Sequence, residues 1–321
     1  MPVNKLKLAA LTLSMSIAFS SVARADDKKE SDTLEGHRDK ITSLALSADG
    51  KTLASSSADN TILLWDLGTK KSTRTLQANV NPVTAIAFAP DGATLASVSA
   101  DKTATIWNVA DGKQIVTIKG QAAGLLAVAY SSDGKYLATT AANGIIKLWD
   151  PKTGDELRSL QDGVNPVNAL AFAPDGKTLA SAGNDHTTIL WNVADGKEIA
   201  TLKGHTDNIN ALAFSSDGKT LASAGADRVV KLWNVASHEE VRSIQGHSDA
   251  VLSVAFSKDG KTLATGSADK TAKLWDTATG KERASFDRHT AAVTAVRLTP
   301  DGKTLITGSA DRSIKLWSTG E

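Results

Sequence analysis

Short apolar runs and turn residues alternate along almost the entire chain. Runs such as ALAF and TLAS stand on either side of Asp-Gly pairs, which begin at Asp49, Asp91, Asp133, Asp175, Asp217, Asp259 and Asp301. An Asp-Gly between two short apolar runs predicts a hairpin, because glycine tolerates the positive φ of a tight turn. A second turn is marked by Asp59, Asp101, Asn143, Asp185, Asp227, Asp269 and Asp311, each six residues before a tryptophan. A third carries Gly112, Gly154, Gly196 and Gly280. The pattern predicts a unit of four short antiparallel strands joined by three turns.

The unit repeats without drift. Trp65, Trp107, Trp149, Trp191, Trp233, Trp275 and Trp317 follow one another at intervals of 42 residues, so seven units account for 294 of 321 residues. One four-stranded sheet cannot bury both of its faces. Seven stacked around an axis can, and radial repetition leaves only short edges. The expected fold is all-β, a seven-bladed propeller over residues 31–321. Its last repeat ends at Trp317-Ser318-Thr319-Gly320-Glu321 and lacks the outer strand seen elsewhere as EIATLKG, whereas Ser31-Asp32-Thr33-Leu34-Glu35-Gly36 is an orphan similar to that strand. The amino-terminal segment is expected to complete the seventh blade.

The first residues follow another pattern. Lys5 and Lys7 precede an apolar run from Leu8 to Val22, and Ala23-Arg24-Ala25 supplies a small-x-small cleavage pattern. This order predicts an export signal over residues 1–25 and a charged linker over 26–30. The run is too short and too rich in Ser and Thr for a comfortable span, so no stable membrane insertion is expected after cleavage. Neither cysteine nor an Asn-x-Ser/Thr sequon occurs. Both absences suit a bacterial periplasmic or extracellular protein.

With these registers in place, the unit resembles the WD-repeat β-propeller family. The matching stretches include LKGHTDNINALAFSSDGKTLASAGADRVVKLWN, with Gly204-His205 near its start and Trp233-Asn234 at its end, and the resemblance covers residues 34–317. It implies a buried hydrogen-bonded tetrad of His, Ser or Thr, Asp and Trp. By position these are His37, Ser55, Asp59 and Trp65 in the first repeat, and His205, Ser223, Asp227 and Trp233 in the fifth. The sixth has His247, Thr265, Asp269 and Trp275, and the seventh His289, Thr307, Asp311 and Trp317. Repeats two to four depart from the pattern: Asn79, Gln121 and Gly163 occupy the His register, and Asn143 replaces the third Asp. The resemblance also implies protein partners, held mostly across the narrow top face.

Composition narrows the chemistry. The chain has 36 basic and 35 acidic residues, and without the first 25 residues, which hold three of the bases and no acid, the balance is −2. Nucleic-acid binding usually needs a basic excess, so no nucleic-acid partner is expected. The absence of cysteine excludes thiolate metal sites and a cysteine nucleophile. The Ser-His-Asp set resembles a hydrolase triad, yet it recurs four times in one register together with Trp, which marks it as structural. No two histidines have a metal-ligand spacing and no phosphate loop is present, so no cofactor, metal or catalytic residue is expected. Every Trp sits in one register, and Phe88, Tyr130, Phe172, Phe214 and Phe256 share another, with Phe286 in the outer strand. Beyond the expected signal segment only Tyr136 is left for a stacking platform.

The turns hold what the repeat does not explain. Asn60, Lys102, Gly144, His186, Arg228, Lys270 and Arg312 follow the second-turn residue of each unit and form a partial ring of cations. Asn81, Gln121, Asn165, His186 and Arg228 are the candidate partner-binding residues, placed on top-face turns and unexplained by the core. The expected function is a non-catalytic protein-interaction scaffold, a monomeric propeller outside the cytoplasm. The alternative is a propeller enzyme or small-ligand binder using the central channel. Its mark would be one repeat with an extra acid, His or long insertion facing the channel. Equal repeat lengths and the lack of an unmatched His-carboxylate pair count against it.

Overall fold

The computed structural model describes residues 30–77, 81–161 and 165–320. The expected signal segment, residues 26–29 of the linker, Asn79 and Gly163 lie outside the described residues. The chain forms seven four-stranded antiparallel sheets, each built from four strands of five to seven residues. The inner strands are Ile41–Leu46, Val83–Phe88, Leu125–Tyr130, Val167–Phe172, Ile209–Phe214, Val251–Phe256 and Val293–Leu298, and they open blades 1 to 7 in that order. Within each blade the strands run outward in chain order.

Blade 7 is the exception that closes the ring. Its three inner strands come from residues 293–318, and its outer strand is Glu30–Leu34, which pairs with Ile314–Ser318 through Leu34 opposite Ile314 and Asp32 opposite Leu316. The strand begins at Glu30, one residue inside the expected linker. The two ends of the chain are thus hydrogen-bonded into one sheet, and no open edge remains between the first and last repeats.

The core is a set of interfaces between blades. Trp107 of blade 2 packs with Ala54, Ile62, Leu64 and Leu76 of blade 1, and Trp65 of blade 1 packs with Leu34, Ile306, Ile314 and Leu316 of blade 7. All seven tryptophans are buried. This is why a single unit is not a stable fragment: the apolar face of each sheet is covered only by its neighbour.

A belt of side-chain hydrogen bonds links successive inner strands. In five blades the second residue of the inner strand donates to the first carbonyl of the next: Thr42 Oγ1 to Val83 O at 2.6 Å, Thr84 Oγ1 to Leu125 O at 2.8 Å, Asn168 Nδ2 to Ile209 O at 3.1 Å and Asn210 Nδ2 to Val251 O at 3.0 Å. Thr294 Oγ1 donates to Ile41 O at 2.7 Å and carries the belt from blade 7 back to blade 1. Leu126 and Leu252 occupy the same register and have no donor to offer, so five of the seven links are made.

Candidate functional site

Antiparallel topology decides which turns share a face. Each inner strand starts after the His loop, and the second strand returns to that end before the turn marked by Asp. His loops and Asp turns therefore cluster on one face, and the Asp-Gly hairpins lie on the other.

In blades 1, 5, 6 and 7 the first face is anchored by complete tetrads. His205 Nε2 meets Ser223 Oγ at 2.7 Å, His205 Nδ1 meets Asp227 Oδ2 at 2.8 Å, and Trp233 Nε1 donates to Ser223 Oγ at 2.8 Å. His37, Ser55, Asp59 and Trp65 repeat this with distances of 2.8, 3.0 and 2.8 Å. So do His247, Thr265, Asp269 and Trp275 at 2.7, 2.8 and 2.8 Å, and His289, Thr307, Asp311 and Trp317 at the same three distances. The Asp carboxylate also accepts the amide of the residue after His, as from Thr206 at 3.0 Å. One carboxylate thereby pins the His loop to the Asp turn. Each hydroxyl lies beneath its buried imidazole and is bonded to Trp, so it has no open approach to a substrate.

The charges of the network follow from its burial. Burial pushes the His205 and His247 imidazoles below their usual 6.5, against the opposing pull of Asp227 and Asp269. Burial would raise Asp269 and Asp311, but hydrogen bonds outweigh it. Thr271 and His247 hold Asp269 at about 2, and Ser313 and His289 hold Asp311 at about 2. In blades 5 and 6 this favours neutral imidazole beside carboxylate.

Blades 2 to 4 keep part of the network. Trp107, Trp149 and Trp191 still donate to Ser97, Thr139 and Ser181 at 2.9, 2.9 and 2.8 Å. Gln121 stands in for His in blade 3: it is buried and donates from Nε2 to Thr139 Oγ1 at 3.1 Å. This corrects the reading of Gln121 as a surface residue outside the core. An amide of similar reach replaces the imidazole, and its side chain points inward to the Trp149 network.

The other four candidates lie on the face. Asn81, Asn165 and Arg228 are exposed and His186 is half-buried. A backbone feature unites the ring of turns. Asn60, Lys102, His186, Arg228, Lys270 and Arg312 all have φ between 65 and 76°, and Gly144 has φ 79°. The positive φ sets six non-glycine residues at equivalent points around the face. Lys102, Arg228, Lys270 and Arg312 are exposed, interleaved with exposed Asp39, Asp207 and Asp249 of the His loops. The face is thus a mixed-charge ring on a common frame.

On the opposite face a cavity of about 780 Å³ lies between blades 2 and 3, bordered by Tyr130, Tyr136, Asp133 and Lys135. Asp133 is held at about 2 by the Ser131 hydroxyl and the Lys135 amide, so it has no proton to give near neutrality. A second cavity, of about 180 Å³, lies on the axis and is lined by all seven inner strands.

The sequence matches the WD domain, G-beta repeat model seven times, over residues 28–66, 70–108, 112–150, 154–192, 196–234, 238–276 and 280–318. The chain belongs to this family of WD-repeat propellers. A search of curated proteins found no match. The matched unit is offset from the blade by one strand: residues 70–108 contain the outer strand of blade 1 and three strands of blade 2. That offset is the reason Glu30–Leu34 completes blade 7. Propellers of this family typically serve as protein-interaction scaffolds.

Proposed function

We propose that the protein is a non-catalytic scaffold, exported from the cytoplasm, that captures a protein partner across the face carrying the His loops and Asp turns. The observation that supports this most is the ring of left-handed turn residues. A non-glycine residue at positive φ is strained by roughly 1–2 kcal/mol, and six of seven turns accept that strain while presenting Asn, Lys, His or Arg. The frame beneath is nearly constant from blade to blade, so the pattern of side chains above it is what distinguishes one azimuth from another. Arg228 is the strongest anchor, because arginine is enriched among interface residues of high energetic weight. Export rests on the Lys5 to Ala25 pattern and is checked by amino-terminal sequencing of the native protein, which should begin at Asp26.

The binding test is a combined variant, Asn81→Ala, Asn165→Ala, His186→Asn and Arg228→Asn, in which Asn preserves the left-handed turn. The melting temperature should stay within a few degrees of the parent while recovery of the native partner is lost. Full recovery by this folded variant would rule out the face as the binding surface.

A further inference from the structure

The register of the inner strand has one anomaly. Its fifth residue is Ala45, Ala87, Ala129, Ala171, Ala213 and Ala255 in blades 1 to 6, and Arg297 in blade 7. Six blades place a methyl group there, and the seventh places a guanidinium that lines the axial cavity of about 180 Å³.

Among the described residues Arg297 is a cation without a counter-charge. It is half-buried, and its Nη1 donates to the Val296 carbonyl at 2.7 Å, a contact within its own strand. A guanidinium carries five N–H donors. Among the described residues no Asp or Glu forms an ion pair with it, and none lines the cavity. Burial lowers its pKa to about 10, still far above neutrality, so the side chain remains charged. A charge set this deep without a partner carries a desolvation cost that an opposite charge would relieve.

The neighbouring blades depart in the same place. The third residue of the inner strand is Ala in blades 2, 3, 4, 5 and 7 but Ser43 in blade 1 and Ser253 in blade 6. These are the two blades that flank blade 7. Ser253 Oγ accepts the Val296 amide at 3.1 Å, one residue from Arg297, which leaves its O–H proton to donate elsewhere. Both serines line the cavity. The channel is therefore chemically one-sided: a guanidinium with a hydroxyl on each adjacent blade, facing an arc of Ala, Leu, Thr and Asn. The fork of arginine matches the paired oxygens of carboxylate and phosphate.

We propose that the axial channel is a binding site for a small free oxyanion, a carboxylate or phosphate, held by Arg297 with Ser253 and Ser43. It is separate from the proposed interaction face and does not depend on it. The cavity volume limits the ligand to a small molecule or to the anionic end of a larger one.

The test uses inorganic phosphate and succinate as probes, titrated into the purified protein at constant ionic strength with chloride as the balancing anion. Calorimetry and melting curves are recorded for the parent, Arg297→Ala and Ser253→Ala. Arg297→Ala installs the residue that the other six blades carry, so the fold tolerates it. Expected is saturable binding of at least one probe to the parent, with a rise in melting temperature. Binding should fall at least ten-fold in Arg297→Ala and by a smaller factor in Ser253→Ala. Without added oxyanion Arg297→Ala should melt at or above the parent, and the order should reverse at saturating probe. Binding of neither probe by the parent would overturn the proposal, as would undiminished binding by Arg297→Ala, which would move the anion to the cationic turns.

Discussion

The hydroxyl at the centre of each tetrad has two buried partners. Replacing Ser223 by Ala leaves both Trp233 Nε1 and His205 Nε2 without their acceptor or donor, at roughly 1–3 kcal/mol for each group that stays unpaired. Denaturant melts should show this loss with no change in partner recovery. Gln121→Ala should act the same way at about 1 kcal/mol, because its amide bonds Thr139 inside the core rather than reaching solvent. A second residue-scale effect is backbone strain in the outer turn. Gly112, Gly154, Gly196 and Gly280 adopt φ of 73–80° there, but blade 5 has His238 at φ 61°. His238→Gly should raise stability by about 1 kcal/mol, since glycine adopts this conformation without the Cβ clash.

At the scale of the element, inner strands are joined by the belt as well as by packing. Thr294 makes the link across the seam where the chain ends meet. Thr294→Val keeps the shape and removes the donor, which should cost about 1 kcal/mol in a chemical denaturation curve. The loss should exceed any effect of Leu126→Val, where no link exists to break. The same reasoning explains why Asp and Asn alternate after Trp. Asn108 Oδ1 accepts the Ala110 amide at 2.9 Å and Asp66 Oδ1 accepts the Thr69 amide at 2.7 Å, and either side chain supplies that oxygen. Ser318 ends the third strand of blade 7, whose outer strand is supplied by Glu30–Leu34.

For the whole molecule, closure and acid response are collective. Deleting residues 26–34 removes the outer strand of blade 7, exposes the edge at Ile314–Ser318 and uncovers the Leu34 side of the Trp65 cluster. A large fall in melting temperature with concentration-dependent aggregation is expected, although the segment touches neither proposed site. Acidification should act in two stages. His205 and His247 have folded pKa values below 6.5, so the unfolded chain binds their protons first, and stability present above pH 6.5 declines as the pH falls below it. Asp269 and Asp311 are held near 2 against an ordinary 3.8, so a second decline runs from about pH 4 to 2. A melting temperature that is flat between pH 7 and 5 would contradict the first stage.

Periodicity in the sequence determined the strand count, the blade count, the turns and the membership of four tetrads. It could do so because each of these is a local requirement repeated seven times: a Gly at positive φ, an Asp that caps a turn, a short run of apolar residues. The strand offset that closes the ring was also legible, from the missing outer strand of the last repeat. What the sequence left unassigned depends on direction and on neighbours far away in the chain. Gln121 reads as a polar loop residue until the fold turns it toward Thr139 and Trp149. Arg297 occupies an alanine register and could have been found by aligning the seven units position by position. Its significance still required the tertiary structure: alanines of that register pack between blades, and only closure of the ring brings Arg297 into an axial cavity that Ser43 and Ser253 also line and no carboxylate does.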